Sequence, residues 1–148
     1  MYDFTILVME GAFSSSVAVT RDMLAAASAL APRLGVPAPR WRLCSIDGGD
    51  VQLQGGMSVQ TTRLPARSGQ DASVWVLPGL GLNTPDAVSR RFAMADVPGV
   101  IDQLARHVAA GGQVAASCSA VFMLHAAGLL EGRRATTTWW LAPLLRSM

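Results

Sequence analysis

Cys118 is the residue of this chain best placed to do chemistry. It closes a short apolar run, Gln113-Val-Ala-Ala-Ser-Cys118, and a helical pattern follows from Val121 to Leu124. A strand that turns at once into a helix with a nucleophile at the corner is a nucleophile elbow. Small neighbours such as Ala116 and Ala120 are needed there, because strand and helix approach closely. The first turn of the helix offers its free N–H groups to the sulfur. A thiol nucleophile also needs a base and an oxyanion hole. Backbone N–H groups of Ser119 and of the Gly79-Leu80 turn can supply the hole. The base is harder to find. His125 lies on the same helix face as Cys118 but about 10 Å further along the axis, beyond hydrogen-bond reach. His107 falls in the middle of a different helical pattern and reads as a surface residue. Neither Glu10 nor Asp22 is a convincing acid partner. The alternative is that Cys118 is simply a small residue retained in a tight corner.

The elements that must position this corner can be read from periodicity. Phe4–Met9 is a buried strand, broken by Gly11, after which Ser14-Ser15-Ser16 can cap a helix. Val17, Leu24, Ala27, Ala31 and Leu34 recur at helical spacing, and Gly35 and Pro37 end that helix. Trp41–Ile46 reads as a second strand. Val51–Gln54 and Met57–Gln60 alternate around Gly55-Gly56, a hairpin signal because the favoured hairpin turns need positive φ. Ser73–Leu77 is another buried strand, closed by Pro78-Gly79-Leu80-Gly81. Asp96 and Pro98 open a helix with Val100, Ile101, Leu104 and Val108 inward, and Gly111-Gly112 stops it. The elbow strand and elbow helix follow, the latter ending at Gly128. Arg134–Thr138 reads as extended, and Trp139–Met148 as a last amphipathic helix. This order predicts an α/β fold with a mostly parallel sheet and helices on both faces. Function in such sheets gathers at the carboxyl ends of the strands, where Gly11, Gly79 and Cys118 should meet.

Composition narrows the function classes. The chain has 148 residues, 51% of them hydrophobic and 15% charged, enough for one domain with a real core. All 12 basic residues are Arg, and they are scattered rather than gathered into a nucleic-acid stripe. No apolar run reaches membrane-spanning length. Two cysteines, Cys44 and Cys118, make no disulfide framework, which fits a reduced cytoplasmic protein. The two Cys and two His show no metal-ligand spacing, so neither a metal nor a cofactor is expected. Cys44, in an alternating strand, reads as core. Arg133-Arg134 reads as a solvated loop, and Trp139-Trp140 as one core residue beside one partly exposed or interface residue.

Several segments together resemble the ThiJ/PfpI group of the class I glutamine amidotransferase-like superfamily. More closely, the chain looks like the amidotransferase-like N-terminal domain of AraC-type transcriptional regulators. The matching pieces are Ile6–Gly11, Asp22-Met-Leu24, Val76–Leu80 and the run from Ala115 to Trp139 with Cys118 and Ala127–Thr136. The resemblance implies a flavodoxin-like three-layer sandwich over residues 1–148 as a single domain. It also implies departures. The acid that partners the cysteine in catalytic relatives corresponds to Ser16, and the late histidine to Thr138. The residues after the cysteine, often His or Thr and then Gly, are Ser119 and Ala120. Family domains usually continue with a further strand and helix, and regulators add a DNA-binding region, so a truncated C-terminus is expected.

The reading that follows is a ligand-sensing regulatory domain without catalysis. A small-molecule effector would enter around Ser16, Gly79, Leu80 and Ser119 beside Cys118. A homodimer is expected, with no membrane contact and DNA reached only through a C-terminal region absent from this chain. The alternatives are a cysteine hydrolase, hydratase or glyoxalase-like enzyme with Cys118 as nucleophile, and a redox sensor in which that thiol oxidises.

Overall fold

The computed structural model describes residues 2–65 and 71–148. Strand β1 (Phe4–Leu7) is buried apart from its first residue, and it lies inside a six-stranded sheet of order β3-β4-β2-β1-β5-β6. Its parallel neighbours are β2 (Trp41–Ser45) and β5 (Val74–Leu77). β4 (Ser58–Arg63) runs parallel to β2, and β6 (Val114–Ala116) runs parallel to β5 at the far edge. Among the described residues, the one antiparallel strand pair is the hairpin of β3 (Gly49–Gln52) with β4. Its turn uses positive φ at both Gly55 and Gly56, as their dipeptide predicts, with the Leu53 amide closing onto the Met57 carbonyl.

Helix α1 (Ser14–Leu34) connects β1 to β2, and α2 (Pro85–Phe92) with α3 (Val97–Ala109) connect β5 to β6. These crossovers travel in opposite directions along the sheet. Right-handed connections therefore place α1 and α3 on opposite faces, giving three layers. A 3-10 turn at Cys118–Ala120 leads into α4 (Val121–Ala126), and α5 (Ala142–Ser147) is the last element. Trp75 and Phe122 anchor the core, both completely buried together with Ile6 and Leu104. Burying each such side chain contributes about 1.5–3 kcal/mol.

The structure corrects some local expectations and adds detail to others. The serines at the start of α1 do not cap it: Phe13 occupies the N-cap without a side-chain hydrogen bond, and the serines form the first turn. The α1 stripe is only partly internal. Val17 and Ala31 are buried, whereas Leu34 is 71% exposed. A helix of 21 residues is about 31 Å long, roughly twice the strands it crosses, so its last turns overhang the sheet. Helix α2 has no counterpart in the periodicity, yet Thr84-Pro85 is a start signal. The Thr84 hydroxyl accepts from the Ala87 amide, and Pro85 supplies the fixed φ of the first turn. Arg134–Thr138 forms no strand, and the last helix begins at Ala142 rather than Trp139.

Candidate functional site

The chain crosses from one direction of connection to the other between β1 and β5, where ligands bind in open parallel sheets. Here the loops after β1 and β5 are pinned together. The Phe13 amide donates to the Gly79 carbonyl at 2.8 Å, and the Gly81 amide to the Gly11 carbonyl at 2.9 Å. This clamp fixes Gly79 beside the end of β6.

Cys118 stands at φ +54°, the one non-glycine residue with positive φ among the described residues. An L-residue pays about 1–2 kcal/mol for that conformation, and the expected elbow is thereby present. The missing side chain of Gly79 accommodates it: a Cβ there would lie 3.0 Å from the Cys118 Cβ. The Cys118 carbonyl accepts from the Thr137 hydroxyl at 3.2 Å, which ties the late Thr triplet to the corner.

Ser16 faces the same corner. Its hydroxyl oxygen accepts from the Gly79 amide at 2.8 Å and lies 3.3 Å from the Ser117 hydroxyl. Two consequences follow. The hydroxyl that the sequence offered as a helix cap is instead a bridge between α1 and the β5 turn. The Gly79 N–H, a candidate oxyanion donor, is already engaged. The side chains behind it are closed off as well. Ser119 is fully buried and donates to the Leu80 carbonyl at 2.6 Å, and Leu80 is a core residue.

A cavity of about 340 Å³ opens over this arrangement, lined by Phe13, Ser15, Ser16, Val19, Thr20, Gly79, Ser117 and Cys118. The structure therefore gathers Ser16, Gly79 and Cys118 around one space and sets Leu80 and Ser119 behind its wall. Phe13, Ser15, Val19, Thr20 and Ser117 were not singled out from sequence. Helical spacing from Ser16 is the signal that could have found Val19 and Thr20. The lining carries hydroxyls and apolar carbon but no carboxylate or imidazole.

The two histidines go elsewhere. His107, read as a surface residue, is fully buried. Its ring stacks on Trp75 with centroids 4.0 Å apart and planes 8° apart, and Nε2 lies 3.2 Å from the Gln113 carbonyl. Gly112 makes this possible, because any Cβ there would overlap the ring. His125 is half-buried in the last turn of α4. Thr138, in the position matching the family histidine, is half-buried with its hydroxyl oxygen unpartnered among the described residues. Cys44 is buried against the Thr62 hydroxyl at 3.3 Å, in the core as expected. Trp139 and Trp140 pack edge to face at 5.5 Å, but both are exposed, so neither is the core residue expected of the pair. Among the described residues, no group of three or more His, Cys, Asp and Glu is placed to hold a metal ion, and no helix is long and apolar enough to cross a membrane.

No protein-family model matches the chain. A stretch of 28 residues is 68% identical to an uncharacterized protein in the cpoL 5′ region of Streptomyces lividans, spanning 19% of this chain and 20% of that protein. The fold has close solved counterparts. An AraC family transcriptional regulator from Pseudomonas putida superposes with a TM-score of 0.75 at 21% identity, over 99% of this chain and 72% of that one. A candidate transcriptional regulator from Vibrio parahaemolyticus gives a TM-score of 0.71 at 19% identity, over 99% and 71%. A candidate protease I from Bacteroides thetaiotaomicron gives 0.71 at 8% identity, over 97% and 78%. The flavodoxin-like architecture implied by the ThiJ/PfpI resemblance is the one observed.

Proposed function

We propose that this chain is a ligand-sensing domain of the kind found in AraC-type transcriptional regulators, and that its elbow cysteine does not catalyse. The observation that carries this reading is the bond from the Gly79 amide to the Ser16 hydroxyl at 2.8 Å. Where a catalytic site would need an acid, Ser16 supplies a hydroxyl, and it occupies one of the candidate oxyanion donors, the Gly79 N–H. Without a proton-transfer group, attack by Cys118 lacks the general acid–base assistance that contributes typically 10²–10⁴-fold.

A cavity with hydroxyl and apolar walls suits a small, uncharged or weakly polar effector. Ser15, Ser16, Thr20 and Ser117 would orient it, and Val19 and Phe13 would cover its apolar part. Binding there touches both α1 and the elbow, so occupancy shifts α1 relative to the sheet. In this reading the protein is a cytoplasmic homodimer, and a DNA-binding region joined to the domain responds to that shift.

The test is a thermal-shift screen of small metabolites on wild type and on Val19→Trp, which fills the cavity. The expected result is at least one compound that raises the wild-type Tm but not that of Val19→Trp. Turnover of methylglyoxal or simple amides that disappears in Cys118→Ala would overturn the proposal in favour of a ThiJ/PfpI-type enzyme.

A further inference from the structure

The polar wall of the elbow cavity has a hydrogen-bond direction. It begins at the Gly79 amide, which can only donate, and the Ser16 oxygen accepts that N–H at 2.8 Å. Ser16 in turn lies 3.3 Å from the Ser117 hydroxyl. Among the described residues, neither of these serine hydroxyls donates to a carbonyl. This row holds three donors, the Gly79 N–H and the two serine O–H groups. The serine oxygens take up the N–H and at most one O–H between them. At least one O–H is therefore left for the cavity that both serines line, whichever of them carries it. Accepting the N–H polarises the row and strengthens the donor at its far end.

Helix α1 supplies the opposite polarity one turn along. The Thr20 hydroxyl donates to the Ser16 carbonyl at 2.8 Å, so its proton is committed and its lone pairs remain for the cavity. Ser15 is exposed and adds no fixed direction. The lining holds no charged side chain and no imidazole, so neither a carboxylate nor an ammonium group would recover its lost hydration there. Val19 and Phe13 supply apolar carbon.

We propose, resting on the reading of this cavity as the effector site, that the ligand is neutral and is held through an acceptor oxygen of the ether, ester or ketone type. That oxygen sits against the Ser16–Ser117 pair. Ser16 sets the preference, because it takes the Gly79 donor out of the cavity and passes a donor on in its place. A ligand group that donates fits the Thr20 end instead. The two ends therefore orient the ligand as well as select it.

The test uses two rings of one shape: tetrahydropyran, which has an acceptor oxygen, and piperidinium, which has only donors. Each is titrated into the full chain at pH 7 while the Gly79 and Ser117 amide signals are followed by NMR. Tetrahydropyran should bind wild type about fivefold or more tightly than piperidinium does. This comparison needs no variant to fold. Two isosteric variants then separate direction from shape. In Ser16→Asn the amide oxygen accepts from Gly79 and the NH2 group still donates onward, so tetrahydropyran should bind within about twofold of wild type. In Ser16→Asp the carboxylate accepts from both Gly79 and Ser117 and leaves no donor in the row, so binding should weaken about fivefold or more. Equal binding of the two rings to wild type overturns the proposal, as does equal binding of tetrahydropyran to Ser16→Asn and Ser16→Asp. If neither ring binds wild type, the effector-site reading itself is overturned, and the proposal with it.

Discussion

The Ser16 hydroxyl oxygen accepts the Gly79 N–H at 2.8 Å, joining the first turn of α1 to the turn after β5. That contact decides how the elbow reads. It satisfies an amide at the point where two crossover connections diverge, and it removes that amide from the pool of oxyanion donors. Ser16→Ala leaves the Gly79 N–H unpaired at the cavity wall. The expected cost is about 0.5–1.5 kcal/mol of unfolding free energy, measured by urea denaturation. Ser16→Asp should recover part of that loss, since a carboxylate also accepts. Equal stability of Ser16→Ala and wild type would show that water replaces the contact at no cost.

Gly112→Ala should be among the more damaging single substitutions in this chain. Its methyl group would overlap the His107 imidazole, which is fixed between Trp75 and the Gln113 carbonyl. Overpacking of this kind costs about 1–3 kcal/mol. His107→Ala in the same chain removes the overlapping ring, so the double variant should lose less than the sum of the two singles. Additive losses in thermal or urea denaturation would mean that the ring moves aside freely.

These two sites show what sequence reveals and what it hides. The elbow was legible because small residues, a cysteine and a change of hydrophobic period occur within a few positions of one another. The hairpin was legible from two adjacent glycines. The role of Ser16 was not, because a serine near a helix start is equally suited to capping. Only the tertiary position of Gly79 makes it a bridge. His107 read as exposed because an imidazole mid-helix is usually solvated. The deciding partner, Trp75, lies on strand β5. The irregular Arg134–Thr138 segment was read as extended from composition alone, and strand formation depends on a neighbour that composition cannot report.

Cys118→Gly and Cys118→Ala separate backbone strain from side-chain chemistry. Both remove the thiol, but only glycine adopts φ +54° without a Cβ penalty. Cys118→Gly should therefore be more stable than Cys118→Ala, by up to about 1 kcal/mol after the added freedom of the unfolded chain is subtracted. A ranking reversed in urea titrations would show that the corner is not strained. Gly79→Ala tests the same approach from the other side. Its Cβ would stand 3.0 Å from that of Cys118, so alkylation of Cys118 by iodoacetamide should slow in this variant while Cys44 stays unreactive in its buried position.

Asp71 contributes to the acid limb of the stability profile. Burial acts to raise its carboxyl, but hydrogen bonds from Ser73 and the Trp75 indole, together with the charge of Arg42, outweigh burial and hold it below the ordinary aspartate range. The Arg42 guanidinium lies 2.6 Å from one carboxylate oxygen, and that same oxygen takes the Trp75 Nε1–H at 2.9 Å. A value depressed in the folded state means that folding favours the ionised form. As pH falls, the unfolded chain takes up this proton first. The contribution is therefore complete above the unfolded value, near 4, and is lost as pH drops through the folded value. Asp71→Asn keeps the shape and removes the charge. It should be less stable than wild type at pH 7, by on the order of 1–2 kcal/mol, and the gap should narrow steadily below about pH 4. Urea denaturation of both proteins at pH 7, 5 and 3 measures that gap. A difference that is unchanged at pH 3 would show that the contacts of Asp71 do not depend on its charge.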